Sequence, residues 1–133
     1  MSFQASILER TRENSNFRRV EFTGRTSQLV VMCIPPGDDV GEEVHEHTEQ
    51  TLFFLSGTAK VVLDGKQSRV QAGDVVVVTP GTRHNFVNDG REPLRIYTVY
   101  APPNHIDGRV HRTHADAEAD HEDEEFGHHP PGR

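Results

Sequence analysis

Between Phe17 and Pro103 the chain is written in short runs of Val, Ile, Leu, Phe and Thr, broken at close intervals by Gly, Pro and Asp. No three-to-four-residue period of apolar positions runs through this stretch, so the pattern predicts antiparallel strands in a sandwich or barrel. The strands expected are 18–22, 27–34, 43–46, 51–55, 59–64, 67–71, 74–79, 84–88 and 94–101. Asp64-Gly65 between two of them is the sharpest hairpin signal, because a two-residue turn of the favoured hand needs positive φ at both positions.

The ends of the chain read differently. Phe3, Ile7 and Leu8 fall at helical spacing, which predicts one loose helical turn or an arm over residues 1–16. Residues 17–103 form the barrel, and 104–133 form an acidic, His-rich extension. Thr113-His-Ala-Asp116 carries a helix-capping pattern, yet almost no apolar stripe follows it, and disorder is expected after about Ala119. Val75 to Val78 is apolar on both strand faces. Either a short strand is buried in a closed sandwich, or a second subunit covers its outer side, and a homodimer is expected on the latter reading.

With 133 residues there is room for one domain, and Cys33 is the only cysteine, so no internal disulfide can form. Cys33 lies in the apolar run QLVVMCI and reads as a packing residue. The net charge is -7, but the segment from Asn104 onward holds eight acidic and three basic residues and so carries most of it. The barrel is close to neutral and has no basic stripe, which argues against nucleic acid as a partner. No apolar run has the length of a signal peptide core or a membrane span, so a cytoplasmic protein without a membrane partner is expected.

The chemistry concentrates in two segments. In VHEHTEQTLFFLSG, His45 and His47 are two apart, so on an extended strand both imidazoles leave one face and can converge. His84 follows a Pro80-Gly81 turn in GDVVVVTPGTRHNFVND, and on a narrow barrel it can share a cavity with the first pair. Neutral imidazole is the commonest protein ligand for transition metals. Taken alone a His-x-His pair arises by chance; its company gives it weight. Glu49 and Gln50 compete as a further ligand, since only one of two adjacent strand residues points inward. Glu43 shares the parity of His45 and His47 and is a candidate general acid or base. Tyr97, Tyr100, Arg95 and Arg83 are candidates for orienting a substrate, with Arg95 and Tyr97 on one strand face and Tyr100 on the other. Phe53, Phe54 and Phe86 read as core or pocket wall.

These segments resemble the two motifs of the cupin superfamily. The first motif has a His-x-His pair and a carboxylate seven residues before a glycine; His45, His47 and Gly57 fit it. The second has a glycine-led strand, a turn, and His with Asn four later; Gly73, Gly81, His84 and Asn88 fit. Counting back from Gly57 selects Gln50, where the family usually carries glutamate. Thr79 occupies the usual proline slot, and Asp39 the place of the leading glycine, between Gly37 and Gly41. From about residue 14 to 119 the chain is similar to single-domain bacterial cupins of the mannose-6-phosphate isomerase-like group. The resemblance implies an all-β, double-stranded β-helix (jelly-roll) barrel with one divalent transition metal (Zn, Fe, Ni, Mn or Co) on His45, His47, Gln50 and His84.

A set of three imidazoles and one neutral amide leaves the metal's charge undiminished, which favours Lewis-acid over redox chemistry. The expected activity is isomerase- or lyase-like, on a small polar oxygenated molecule such as a sugar or sugar phosphate, with Glu43 or Tyr97 moving the proton. An iron-dependent dioxygenase and a non-catalytic small-ligand module are the alternatives. Among the extension histidines, His105, His111, His114, His121, His128 and His129, only His105 is placed to fold back over the barrel mouth.

Overall fold

The computed structural model of the protein describes residues 1–128. After helix α1 (Ile7–Glu13) come β1 (Arg18–Thr23), β2 (Gln28–Ile34), β3 (Glu43–Val44), β4 (Glu49–Ser56), β5 (Thr58–Leu63), β6 (Lys66–Gln71), β7 (Val75–Val78), β8 (Arg83–Val87), β9 (Leu94–Ala101) and β10 (Val110–His111). Helices α2 (His114–Ala119) and α3 (His121–His128) close the described chain. The strands form a six-stranded sheet in the order β10-β1-β2-β9-β4-β7 and a four-stranded sheet in the order β3-β8-β5-β6. All of the pairings are antiparallel.

Period-two burial fixes which way each strand faces. Along β9, Leu94, Ile96, Thr98 and Tyr100 are buried while the residues between them are partly exposed, and β4 buries Gln50, Leu52 and Phe54 in the same way. These residues meet Ala59, Val61 and Phe86 of the smaller sheet in one core. A slip of one residue would turn this set to solvent, so burial holds the register. The β5–β6 hairpin turns on Asp64 (φ 48°) and Gly65 (φ 82°), the paired positive φ that its sequence demands. Gly57, between β4 and β5, has φ 88°, and a Cβ there would stand 2.8 Å from Pro93 O.

Four features differ from the sequence pattern or extend it. First, α1 is two turns of helix packed against β2, β4 and β9. It helps to bury Val31, which faces away from the core of the sandwich, and Cys33 on the same side is half-buried. Second, β3 ends at Val44, short of the expected strand, and the chain bends at Glu46 and His47. Third, Val76 and Val78 turn inward on β7, but Val75 and Val77 are about half exposed at the edge of the larger sheet. Fourth, the extension folds back: β10 pairs with β1, and Thr113 caps α2 by accepting from Asp116 N. Where disorder is expected beyond Ala119, α3 is present and is anchored by buried Asp123, a polar tether that apolar periodicity does not register. His129 lies outside the described residues.

Candidate metal centre and its cavity

The register of the smaller sheet builds the site. Glu43 on β3 is the cross-strand partner of His84 on β8, so the two side chains share a face. His45, two residues beyond Glu43, returns to that face. One ligand atom from each of Glu43, His45 and His84 lies within 4.8 Å of the other two. His45 Nε2 stands 3.0 Å from Glu43 Oε2, and the imidazoles of His45 and His84 are 5.1 Å apart between centroids.

The tautomer of His84 is fixed by its neighbour. Its Nδ1 is 2.9 Å from the carbonyl oxygen of Thr82, which can only accept, so the proton is on Nδ1 and the lone pair on Nε2. Both His84 Nε2 and His45 Nε2 are buried; His84 Nε2 has no hydrogen-bond partner among the described residues, whereas His45 Nε2 faces the Glu43 carboxylate at 3.0 Å. Burial pushes the His84 pKa down, which favours the neutral, ligating form. For Glu43, burial pulls upward, but the contact with His45 and the charge of Arg18 outweigh it and hold the carboxyl at about 2. Its side chain is about a third exposed (32 %), so water screens part of that effect. An ionised carboxylate and two imidazoles converging on one point are a donor set that fits a divalent transition metal.

Gln50 is buried on β4 while Glu49 is exposed. The Gln50 amide nitrogen donates to Thr98 Oγ1 at 3.2 Å and Tyr100 Oη at 3.0 Å, leaving its oxygen as the atom able to ligate. Tyr100 is wholly buried, its hydroxyl pKa is raised by that burial, and its ring stands edge-on to His45. His47 is exposed in the bend after β3, outside the Glu43/His45/His84 group. The parity that would carry it inward is lost because the strand has already ended. Tyr97 is not brought to the site. It stands on the outer face of the larger sheet, stacked on Phe53 at 4.9 Å. Arg95 shares that face and donates to Asn14 O, and Arg83 is exposed and paired with Glu42. Asn88 is structural: its amide donates to Ile34 O and Glu92 O while Gly90 N donates to its oxygen.

Beside this group opens a cavity of about 480 Å³, whose lining includes Glu43, His45, Arg18, His105, His114 and Asp123. Sequence reasoning missed Arg18 and Asp123, since neither belongs to a motif. The burial of Arg18 follows from the inward parity of Arg18 and Val20 on β1. For Asp123, no pattern in its own segment announces a buried position.

A cupin-domain family model matches residues 30–100, and the chain belongs to the cupin family. It is 39 % identical over 124 residues to the uncharacterized protein YrkC of Bacillus subtilis (strain 168), covering 88 % of this chain. The chain spans 66 % of the length of that relative. The crystal structure of BH2720 from Bacillus halodurans superposes with a TM-score of 0.88 at 36 % identity, covering 90 % of this chain and 95 % of that one. A structure from Thermotoga maritima described as a predicted oxalate decarboxylase gives a TM-score of 0.56 at 28 % identity, over 59 % of this chain and 69 % of that one. Among the described residues, no helix is long and apolar enough to cross a membrane.

Proposed function

We propose that the protein is a metal-dependent cupin enzyme that acts on a small, polar, oxygenated molecule in an isomerase- or lyase-like reaction. The observation that carries this reading is the convergence of Glu43 and His45, paired at 3.0 Å, with the buried Nε2 of His84, which has no hydrogen-bond partner among the described residues. In the proposed site His45, His84 and Glu43 hold the ion, and Gln50 offers its amide oxygen as a fourth ligand. His47, expected as a ligand from spacing, stays at the rim. Glu43 then serves as the anionic ligand that position 50 lacks, rather than as a free acid or base. Bound in this way, a divalent ion supplies Lewis acidity to a substrate carbonyl or hydroxyl. The chain contributes the rest: Thr82 orients His84, Tyr100 orients Gln50, and the adjoining cavity has the volume for a small substrate. The likeness to a protein described as a predicted oxalate decarboxylase supports small oxygenated substrates.

A second reading has its own observation. Two histidines and one carboxylate with open positions form the set used by non-haem iron oxygenases. Elemental analysis of protein purified without added metal separates the two. Zinc, nickel or manganese with no oxygen consumption supports the Lewis-acid enzyme; iron with substrate-dependent oxygen uptake replaces it by the oxygenase. Protein that binds no transition metal at all removes both. We further propose that Val75 and Val77 pair two copies of the chain, which a monomeric mass by light scattering would exclude.

A further inference from the structure

The cavity has a second polar wall that the metal reading does not use, made by β1 and the C-terminal extension. His105 is held in the loop after β9 by Gln28, whose oxygen accepts from Asn104 N and His105 N at 3.1 and 3.0 Å and whose nitrogen donates to His105 O at 2.7 Å. The imidazole is 6 % exposed and meets Tyr100 edge-on at 4.9 Å. Its Nδ1 lies 2.7 Å from Asp123 Oδ2, and the other oxygen of Asp123 accepts from Ile106 N at 2.7 Å. Burial raises the Asp123 pKa, but His105 and Ile106 outweigh it and keep the carboxylate ionised. An ionised carboxylate only accepts, so the proton of His105 is on Nδ1 and its lone pair is on Nε2. That Nε2 is buried and has no hydrogen-bond partner among the described residues.

Arg18 lines the same cavity and is 5 % exposed. Among the described residues no carboxylate lies within ion-pair distance of it, and its Nε has no hydrogen-bond partner. Its Nη1 is 3.4 Å from His111 Nδ1, and His111 Nε2 is 2.9 Å from Asp120 Oδ2, which together orient the guanidinium. The guanidinium lies in the field of Glu43 and Asp123 and beside the Tyr100 hydroxyl, but no carboxylate closes a direct ion pair with it, and its planar fork is shaped for a carboxylate or phosphate. The two walls therefore offer complementary functions: donors only at Arg18, and an acceptor at His105 Nε2.

We propose that Arg18 and His105 form the substrate-recognition half of this cavity and that they bind a small hydroxy-carboxylate. The guanidinium takes the carboxylate, and His105 Nε2 accepts the hydrogen bond of the adjacent hydroxyl. Glu42, Glu43, Glu118, Asp123 and Glu124 also line the space, so a monoanion suffers less repulsion there than a phosphate dianion. Asp123 is a positioning residue that acts through the tautomer of His105. The assignment deepens the metal-cupin reading by naming its substrate class.

The test uses the full chain with 15N-labelled histidine and follows the ring nitrogens by NMR, with His105 assigned from His105→Gln. Glycolate, acetate, ethylene glycol and inorganic phosphate are the probes. Glycolate is expected to move His105 Nε2 and to bind about tenfold more tightly than acetate or ethylene glycol, the effect of one well-made hydrogen bond or charge contact. Arg18→Gln should weaken glycolate at least tenfold, to the level of ethylene glycol, without changing metal content. In Asp123→Asn the Nδ1–H preference of His105 should be lost from the 15N shifts while glycolate weakens. If Arg18→Gln does not fold, the wild-type titration decides by itself. The proposal is overturned if glycolate leaves His105 Nε2 unmoved, if acetate binds equally well, or if phosphate binds more tightly. It is also overturned if Arg18→Gln folds and keeps full glycolate affinity, as simple chelation of the ion would require. Elemental analysis of the same samples separates the two readings. Metal-free protein that still binds glycolate through Arg18 keeps this site and loses the metal centre, whereas metal-loaded protein blind to glycolate does the reverse.

Discussion

His84 and His105 belong to one chain of ring contacts, through His45 and Tyr100, yet they are placed by different means. His84 belongs to β8, where cross-strand pairing with Glu43 on one side and Leu63 on the other sets its direction. His105 belongs to no strand; side-chain bonds from Gln28 and Asp123 hold it, the first from the barrel and the second from a C-terminal helix. The imidazole of His84 owes its tautomer to a backbone carbonyl, and that of His105 to a carboxylate. The strand-built half is therefore rigid to the extent that the sheet is rigid. The extension-built half depends on a few buried polar contacts, each expensive to break but few in number.

This contrast is testable from its strongest point downward. His84→Ala removes a ligand outright and should lower metal affinity by more than about 100-fold, beyond what loss of an orienting partner costs; elemental analysis after dialysis reads it. Full occupancy in the variant would remove the barrel half of the comparison. Gly57→Ala should destabilise by about 3 kcal/mol and lower Tm by about 10 °C, since the new Cβ meets Pro93 O and φ is positive. A thermal melt checks it, and an unchanged Tm would mean that the turn relaxes freely.

The extension half has a signature in pH. Burial holds the His105 pKa down to about 4, with Arg18 adding to the effect, against an ordinary 6.5. Between those values the unfolded chain binds the proton and the folded chain does not. Stability should therefore fall as pH drops from about 6.5 to about 4, by on the order of 2 kcal/mol. Urea unfolding at both ends of that window should show a smaller loss in His105→Gln than in the wild type. His47→Ala should have the least effect, with metal occupancy within about twofold of wild type, because a ligand on a rim bend contributes no fixed geometry. Loss of the ion in that variant would return His47 to the ligand set.

The comparison also separates what the sequence makes legible from what it hides. The strand positions followed from the short apolar runs, as with 94–101, which is β9 and turns Leu94, Ile96, Thr98 and Tyr100 inward, whereas the order of strands in the sheets did not. The nearness of His45 to His84 was legible from motif spacing, although His45 itself lies one residue beyond the end of β3. The place of Glu43 beside them was half legible: its parity was read from the sequence, but the short length of β3, after which the chain bends at His47, was not. Tyr97 is placed on the outer face of the larger sheet, stacked on Phe53, away from the Glu43/His45/His84 group. Arg18, Asp123 and the helix α3 were hidden for a physical reason. Arg18 sits at an inward position of β1 that a charged residue does not advertise, and Asp123 and α3 are held by side-chain contacts to the loop after β9, which leave no period in either segment.

β10 is only two residues long, and it joins the extension to the strand that opens the barrel, opposite Arg18 and Arg19. The strands beneath it run to eight residues and share their hydrogen bonds with neighbours on both sides. Local opening follows the weakest cooperative unit. The helical flap and its short seam are therefore expected to part before the sheets do, which would give a guest of the proposed site a route in while the core stays shut. Amide exchange at Val110 and His111 that is faster than in β9 would record such breathing directly.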